Sequence, residues 1–397
     1  MNTAPETGNA QQHQIIPFSM TNFEDIRPYH DEEVPAILAR LLKDEEFIGA
    51  ICGFKLSNKP VWLQQLLKPI VRRKLARELA PLRSVRDVQQ LIERYVVQVI
   101  ETSTHHLSFS GLDNLHKGQP YLFISNHRDI VMDPAFVNFA LYHHGLETPE
   151  LAIGDNLLKK PFVADLMRLN KSFIVKRSAS GVREKMAAFS NLSAYVQHTL
   201  ASGNSVWIAQ KEGRAKDGID RTDPAIIKMF YMSQKKSGLS FSDYINWLKI
   251  VPVSISYEYN PCDQMISREL YETATTGNYQ KAEGEDDRSI VTGIVGQKGD
   301  VHIAFGEPLQ GLFNDAEQVA EVIDQQILAN YRLHTSNYTA AHKLYPDLDI
   351  PADNIDAAKH SAFMERLQTC DSKLQDFYLQ MYANPVLQRA NASQAVK

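Results

Sequence analysis

Apolar residues recur along this chain with two different periods. From Val34 they fall at Ile37, Leu38, Leu41 and Leu42, three and four positions apart, as on one face of a helix. Three to four helices of this kind fill the chain to about Glu101. From Gln119 the pattern changes to short runs rich in Phe, Ile and Val. They stand at 120–125 (PYLFIS), 151–153 (LAI), 173–176 (FIVK), 205–209 (SVWIA), 249–257 (KIVPVSISY) and 301–305 (VHIAF). The stretches between them, at about 133–145, 157–169, 181–202 and 223–235, read as helices. Such alternation predicts an α/β fold with a largely parallel or mixed central sheet flanked by helices. Residues 278–289 are polar and acidic, a loop or an exposed helix start. After Leu312 comes a helical segment, AEQVAEVIDQQILANYRL, and further helices run to the end. The chain thus divides into a polar tail (1–20), an N-terminal helical region (21–105), an α/β domain (106–312) and a C-terminal helical region (313–397).

Composition adds boundaries to this picture. With 397 residues and 44% apolar content, the chain can bury an ample core. Its 42 Lys+Arg against 47 Asp+Glu give a net charge of -5, which argues against nucleic acid as a partner. Cys52, Cys262 and Cys370 are far apart and form neither a zinc pattern nor a disulfide framework, so a reducing compartment and no metal are expected. The most span-like stretch, Val131 to Leu146, contains Asp133, His143 and His144, so no transmembrane segment is expected. The start, MNTAPETGNAQQHQ, lacks the basic and apolar runs of a signal peptide. Cytoplasmic placement follows as an expectation, and it is compatible with a peripheral position on a membrane.

One segment runs against the overall charge. Trp62 to Arg94 holds eight Lys/Arg and three Asp/Glu, a local balance of +5. Leu63, Leu66, Leu67, Ile70, Val71 and Leu75 supply an apolar stripe, and Pro69 and Pro81 mark kinks or boundaries. The segment reads either as a packed helix with a wet basic face or as a surface that docks on anionic lipid or an acidic carrier protein.

Candidate chemistry gathers just past predicted strands, where ligand crevices form in α/β sheets. The first group is Asn126-His127-Arg128-Asp129-Ile130-Val131-Met132-Asp133-Pro134. Histidine is the side chain whose unperturbed pKa lies near neutrality, which suits the His127 position to proton transfer. A carboxylate on one ring nitrogen would leave the other free as a base, and both Asp129 and Asp133 are candidates. The second group is basic: Lys171, Lys176, Arg177 and Arg183. The third is Gln210-Lys211-Glu212-Gly213-Arg214-Ala215-Lys216-Asp217-Gly218. Arginine forks and lysine point charges both suit phosphate oxygens, and Gly213 and Gly218 permit tight turns beside a ligand.

Four ordered blocks resemble the glycerol-phosphate acyltransferase superfamily, which includes glycerol-3-phosphate, dihydroxyacetone-phosphate and lysophosphatidate acyltransferases. They are Asn126-His127 through Asp133-Pro134-Ala135, Phe173-Ile174-Val175-Lys176-Arg177, Glu212-Gly213-Arg214 with Lys216 and Gly218, and Ile250-Val251-Pro252-Val253. VHIAFGEPL at 301–309 resembles a strand of the glycerol-3-phosphate members, and the similarity covers roughly 115–312. Two features depart from the family pattern. His127 and Asp133 enclose five residues where the family has four, so either the helix start carries an extra residue or Asp129 orients the histidine; the Pro134-Ala135 match favours Asp133. Arg214 directly follows Gly213, which aligns Arg214 and Lys216 with the family's basic pair and leaves Glu212 one position out of register.

The resemblance implies transfer of a fatty acyl group from a thioester, acyl-CoA or acyl-ACP, to a hydroxyl of glycerol 3-phosphate. His127 would be the general base, with Asp133 or Asp129 behind it. Lys176, Arg177, Arg214 and Lys216 would clamp the phosphate, with Arg177 and Arg214 foremost. Asn126, Glu212, Gly213 and Pro252 would shape the site. Val131, Met132, Phe136 and Phe139 can line an acyl groove or serve as plain core. No cofactor beyond the co-substrate is implied, and Cys52 and Cys262 are structural. A lysophosphatidate or other lysolipid acceptor is the alternative chemistry, and a non-catalytic lipid- or acyl-carrier-binding protein is the alternative class.

Overall fold

The computed structural model describes residues 23–395 apart from 57, 58 and 236, so the polar tail (1–20) lies outside the described residues. Four helices open the fold: α1 (Val34–Leu41), α2 (Glu45–Lys55), α3 (Val61–Leu79) and α4 (Val85–Ser103). Local chemistry sets their starts. Asp44 accepts from the Phe47 N–H at 2.8 Å to begin α2. Ser84 and Asp87 cap α4 reciprocally, at 3.1 and 2.9 Å. Pro81 falls in the break between α3 and α4, whereas Pro69 is carried inside α3.

The sheet follows: β1 (Thr104–Ser110), β2 (Leu122–Ser125), α5 (Met132–His143), β3 (Glu150–Gly154), α6 (Pro161–Leu169), β4 (Ser172–Val175), α7 (Gly181–Ala201) and β5 (Val206–Ala209). Then come α8 (Pro224–Tyr231), α9 (Phe241–Leu248), β6 (Ile250–Tyr257), α10 (Asp263–Thr276), α11 (Glu285–Val295) and β7 (Gly299–Phe305). The chain closes with α12 (Ala316–Asn330), α13 (Thr335–Leu344), α14 (Ala357–Gln368) and α15 (Gln375–Ala395). Strand order is β1-β7-β6-β2-β5-β3-β4. The five strands from β6 to β4 are mutually parallel, and β7 runs antiparallel to β6 with β1 parallel beside it. The sheet is therefore mixed, as the alternating pattern predicts, and the six expected strands form within one or two residues of their expected ends. β1 has no counterpart in the pattern. It is an edge strand whose THHLSFS sequence exposes His105 and His106 together, so it shows no period of two.

Each interior strand divides its side chains between two cores. Leu122, Ile124, Val206, Ile208 and Ile250 face a layer built from α7, α8, α9 and α12. Phe123, Trp207, Val251, Val253, Ile255 and Tyr257 face α5 and the end of α4. The segment after Leu312 is part of this architecture, because Val319, Ile323 and Ile327 of α12 pack directly on the sheet. α10, α13, α14 and α15 form a third core around Phe363 and Tyr378, and α1 to α4 with α6 a fourth. The stripe expected along α3 splits in two. Leu75 is buried and Leu63, Leu67 and Val71 are partly so, but Leu66 and Ile70 point to solvent.

His334, at the start of α13, is buried with its Nε2 lacking a partner. Burial pushes its pKa down from 6.5 to about 3, against the pull of Asp300 and with help from Arg332 and Lys359. With the folded value below the unfolded one, its contribution is complete above pH 6.5 and is lost as pH falls toward 3. Between pH 7 and 5 the wild type should lose about 2 kcal/mol more than His334→Asn, read by urea denaturation. Parallel losses in the two proteins would contradict this.

Candidate active site

The parallel strands place the ends of β2, β5, β3 and β4 along one edge, and the candidate residues follow those ends. A cleft of about 730 Å³ opens there. It is lined by His127 after β2, Gly154 at the end of β3, Lys176 and Arg177 after β4, and Lys211 to Arg214 with Lys216 after β5. Its lining also includes apolar side chains from three helices: Val96 and Val99 of α4, Leu166 and Met167 of α6, and Ile290 and Ile294 of α11.

The histidine is held by Asp133. His127 Nδ1 lies 2.8 Å from Asp133 Oδ2. The same oxygen accepts the N–H groups of Arg128 (2.6 Å) and Asp129 (3.0 Å), and Oδ1 accepts the Tyr257 hydroxyl at 2.6 Å. Asp133 is fully buried at the second position of α5, where the helix dipole favours negative charge. A carboxylate at Nδ1 fixes the proton there and leaves Nε2 toward the cleft as an acceptor. The ring packs edge-on against Trp207, 6.0 Å between centroids. Burial, then the Asp133 charge, raises the Tyr257 pKa well above 10, so its hydroxyl keeps the proton it donates.

Asp129 does not orient the histidine. Its Oδ1 accepts from the Val131 and Met132 N–H groups at 3.0 and 2.8 Å, closing the turn before α5. Its carboxylate lies against Gly293 of α11, where a Cβ would come within 2.1 Å of Oδ2. The extra residue between His127 and Asp133 is thus absorbed by a turn that Asp129 closes from within. Burial, then Asp133, raises the Asp129 pKa.

β6 overhangs β2: Ser125 pairs with Val253, so residues 254–257 run on past the end of β2. Asn126 binds this overhang, accepting the Ile255 N–H at 2.7 Å and donating to the Ile255 carbonyl at 3.0 Å. It also donates to Asp220 at 2.9 Å, so its role is to tie strands to loop. Arg128 finishes that tie with a buried ion pair to Asp220 at 2.6 Å and a bond to the Ala215 carbonyl at 2.9 Å. Burial alone would depress the Arg128 pKa, but Asp220 beside it brings the net shift upward. The Ala215 N–H reaches the His127 carbonyl at 2.8 Å, which registers the 210–222 loop on the histidine.

The basic candidates separate by their partners. Lys216 is ion-paired to Glu269 of α10 and Lys176 to Asp25, so neither cation stands open. Arg177 crosses bare Gly154, where a Cβ would come within 3.0 Å of its Cδ and Nε, and Glu212 approaches it only to 3.9 Å. Arg214 keeps a buried Nη1 without a hydrogen-bond partner and lies near Asp129 and Cys262. Glu212 is exposed, and Gly213 adopts φ +79 in open space at the cleft wall. Gly218 admits the Met381 carbonyl, which a Cβ would meet at 2.0 Å.

Five candidates fall elsewhere. Lys171 precedes β4 and so lies at the opposite end of that strand, bonded to the Thr148 carbonyl at 3.2 Å. Pro252 sits at the early end of β6, one residue beyond its last pairing with β7, away from the cleft lining. Phe136 and Phe139 pack under the sheet, Phe139 against Phe109, while Val131 and Met132 do line the cleft. Arg183 is exposed on α7. Asp220 carries no sequence signal; Tyr257 lies in SISYEY, which continues the fourth block, and Glu269 in the later ISRELYE stretch of the same resemblance, but neither stands out there as a site residue.

No helix of the described residues is long and apolar enough to cross a membrane. The acyltransferase family profile matches residues 106–256. The dihydroxyacetone phosphate acyltransferase of Bos taurus is 26% identical over 204 residues, 50% of this chain and 28% of that protein. The glycerol-3-phosphate acyltransferase of Pseudoalteromonas translucida is 26% identical over 226 residues, 55% of this chain and 26% of that protein. The matched region thus spans about a quarter of the length of these relatives. Among solved structures, the 1-acyl-sn-glycerophosphate (LPA) acyltransferase PlsC of Thermotoga maritima aligns with 64% of this chain and 79% of its own, at 16% identity and a TM-score of 0.34. Residues 106–256, which hold His127, Asp133, Arg177 and Arg214, thus match the acyltransferase family profile, and this stretch is similar to part of dihydroxyacetone phosphate and glycerol-3-phosphate acyltransferases.

Proposed function

We propose that this protein transfers a fatty acyl group from a thioester, of coenzyme A or acyl carrier protein, to a hydroxyl of glycerol 3-phosphate. The observation that carries this reading is that His127, backed by Asp133, lines a cleft together with Arg177, Arg214 and many apolar side chains. A substrate pair consisting of an acyl chain and a phosphorylated alcohol calls for both kinds of lining. Dihydroxyacetone phosphate offers the same two handles, and a lysolipid adds a second chain.

In the reaction, His127 Nε2 takes the acceptor's hydroxyl proton as the oxygen attacks the thioester carbonyl carbon. The new C–O bond forms, the C–S bond breaks, and the leaving thiolate recovers the proton from the imidazolium. No acyl-enzyme is needed, because the thioester is already activated. Asp133 holds the ring and stabilises its positive charge. Arg214 and Arg177 bind the phosphate, which keeps the hydroxyl at the histidine and lowers the entropic part of the barrier. Lys176 and Lys216 act at one remove, since each already has a carboxylate.

The test is product formation by mass spectrometry from palmitoyl thioester and glycerol 3-phosphate. Wild type should yield the monoacyl product, and His127→Ala should fall by about 10²–10⁴-fold with its thermal melt unchanged. Turnover in that variant would overturn the base, and no product with any glycerol-phosphate or lysolipid acceptor would favour a binding role. Asp133→Asn should lower kcat by about 10²-fold or more at similar KM. Asp129→Asn, whose amide oxygen still serves both N–H groups, should stay within about fivefold of wild type; the reverse ranking would assign Asp129 to the histidine. Arg214→Gln should raise the acceptor KM about 10- to 100-fold, the loss of a charge-assisted contact to phosphate. An unchanged KM would remove Arg214 from the phosphate site.

A further inference from the structure

Arg177 lies on an exposed loop just past β4, the edge strand beside β3. An arginine on such a loop samples many rotamers, and freezing them around a ligand costs affinity. The turn that leaves β3 holds the loop in place. Gly154 pairs with Val175 across the two strands, so Asp155 and the Lys176-Arg177 pair leave the sheet side by side. Asp155 Oδ1 accepts the Arg177 N–H at 3.1 Å and the Ser178 N–H at 3.2 Å. Its Oδ2 accepts the Ser178 N–H at 3.3 Å and also the Ser178 hydroxyl. The turn itself closes through the Leu158 N–H, which reaches the Asp155 carbonyl at 3.0 Å. Burial acts to raise the Asp155 pKa, but the Ser178 hydroxyl and the two N–H groups outweigh it and the net shift is downward. Gly154 and Asn156, on either side, line the cleft, whereas Asp155 stands outside the lining.

We propose that Asp155 is the positioning residue of the phosphate clamp, fixing the backbone at Arg177 so that the guanidinium crosses Gly154 into the cleft. This rests on the reading of the cleft as an acyl-transfer site with Arg177 on the acceptor's phosphate. A carboxylate close to that guanidinium would compete with phosphate for it, as Asp25 does for Lys176. Asp155 avoids the conflict, because both its oxygens are engaged by the loop backbone and the Ser178 hydroxyl. It orders the arginine without neutralising it. Gly154 governs the other half of the geometry, the path of the side chain. A Cβ there would come within 3.0 Å of Arg177 Cδ and Nε and within 2.4 Å of Asn156 Oδ1. The Gly154-Asp155 pair thus sets both where the arginine starts and where it passes, which is the support a binding side chain on a loop requires.

The test separates the acceptor from the donor. Asp155→Ala should raise the KM for glycerol 3-phosphate about tenfold, part of what a charge-assisted contact contributes. Its kcat and thioester KM should stay within about twofold, since the histidine is untouched. Asp155→Asn keeps an oxygen for the two N–H groups and should return the acceptor KM to within about threefold of wild type. Gly154→Ala should raise the same KM by obstructing the side chain. Combining Asp155→Ala with Arg177→Gln should give no greater loss than Arg177→Gln alone, because the aspartate acts through the arginine. Additive losses in that pair, or a wild-type acceptor KM in Asp155→Ala, would overturn the proposal. So would a loss in Asp155→Ala shared equally by both substrates, the mark of a merely structural role. Calorimetry with glycerol 3-phosphate reads the same ranking as Kd, without turnover. Binding by wild type with no acyl transfer would overturn the reaction, and the Kd ranking would still support the clamp. No binding by wild type would remove the clamp itself.

Discussion

A single buried carboxylate organises the active edge of this fold. Asp133 has no solvent contact, and an unpaired charge there would cost several kcal/mol. It is balanced by four hydrogen bonds, from the His127 ring, two backbone N–H groups and the Tyr257 hydroxyl, and by the start of α5. Each donor belongs to a different structural decision. The histidine needs the end of β2, the N–H groups need the turn of residues 128–131, and Tyr257 needs the overhang of β6. The carboxylate is stable only where all three arrive together, which makes it a constraint on the fold as much as on the chemistry.

A second set of buried polar groups extends that constraint to the loop after β5. Asn126 and Arg128, either side of His127 in sequence, both reach Asp220. The loop that carries Arg214 is thereby held in register with the histidine. This coupling gives Arg214 a defined position relative to Nε2, which a flexible basic loop would lack. Gly218 serves the same end from behind, by letting the backbone of α15 come close.

Charge in the cleft is selected by pairing more than by residue count. The edge gathers many Lys and Arg, but Glu269 and Asp25 neutralise two of them. Arg177, over the bare Gly154, and Arg214, with a buried Nη1 that has no hydrogen-bond partner, remain at the cavity wall. Apolar lining is supplied by elements distant in sequence, α4, α6 and α11, whose Val99, Leu166 and Ile294 belong at the same time to the adjoining hydrophobic cores.

The period of the apolar residues determined six strands and most of the helices, though not α9 or α10, because buried strands and amphipathic helices impose their geometry on sequence directly. The motif blocks likewise determined that His127, Arg177 and Arg214 follow strand ends, and hence share an edge once those strands are parallel. Three matters were decided only in three dimensions. The choice between Asp129 and Asp133 depended on how a turn with one extra residue closes, since both carboxylates lie within reach along the chain. The standing of Lys176 and Lys216 depended on Asp25 and Glu269, partners tens to hundreds of positions away. The apolar stripe of α3 became two faces because sequence shows which residues are hydrophobic, while only packing decides which of them find a core.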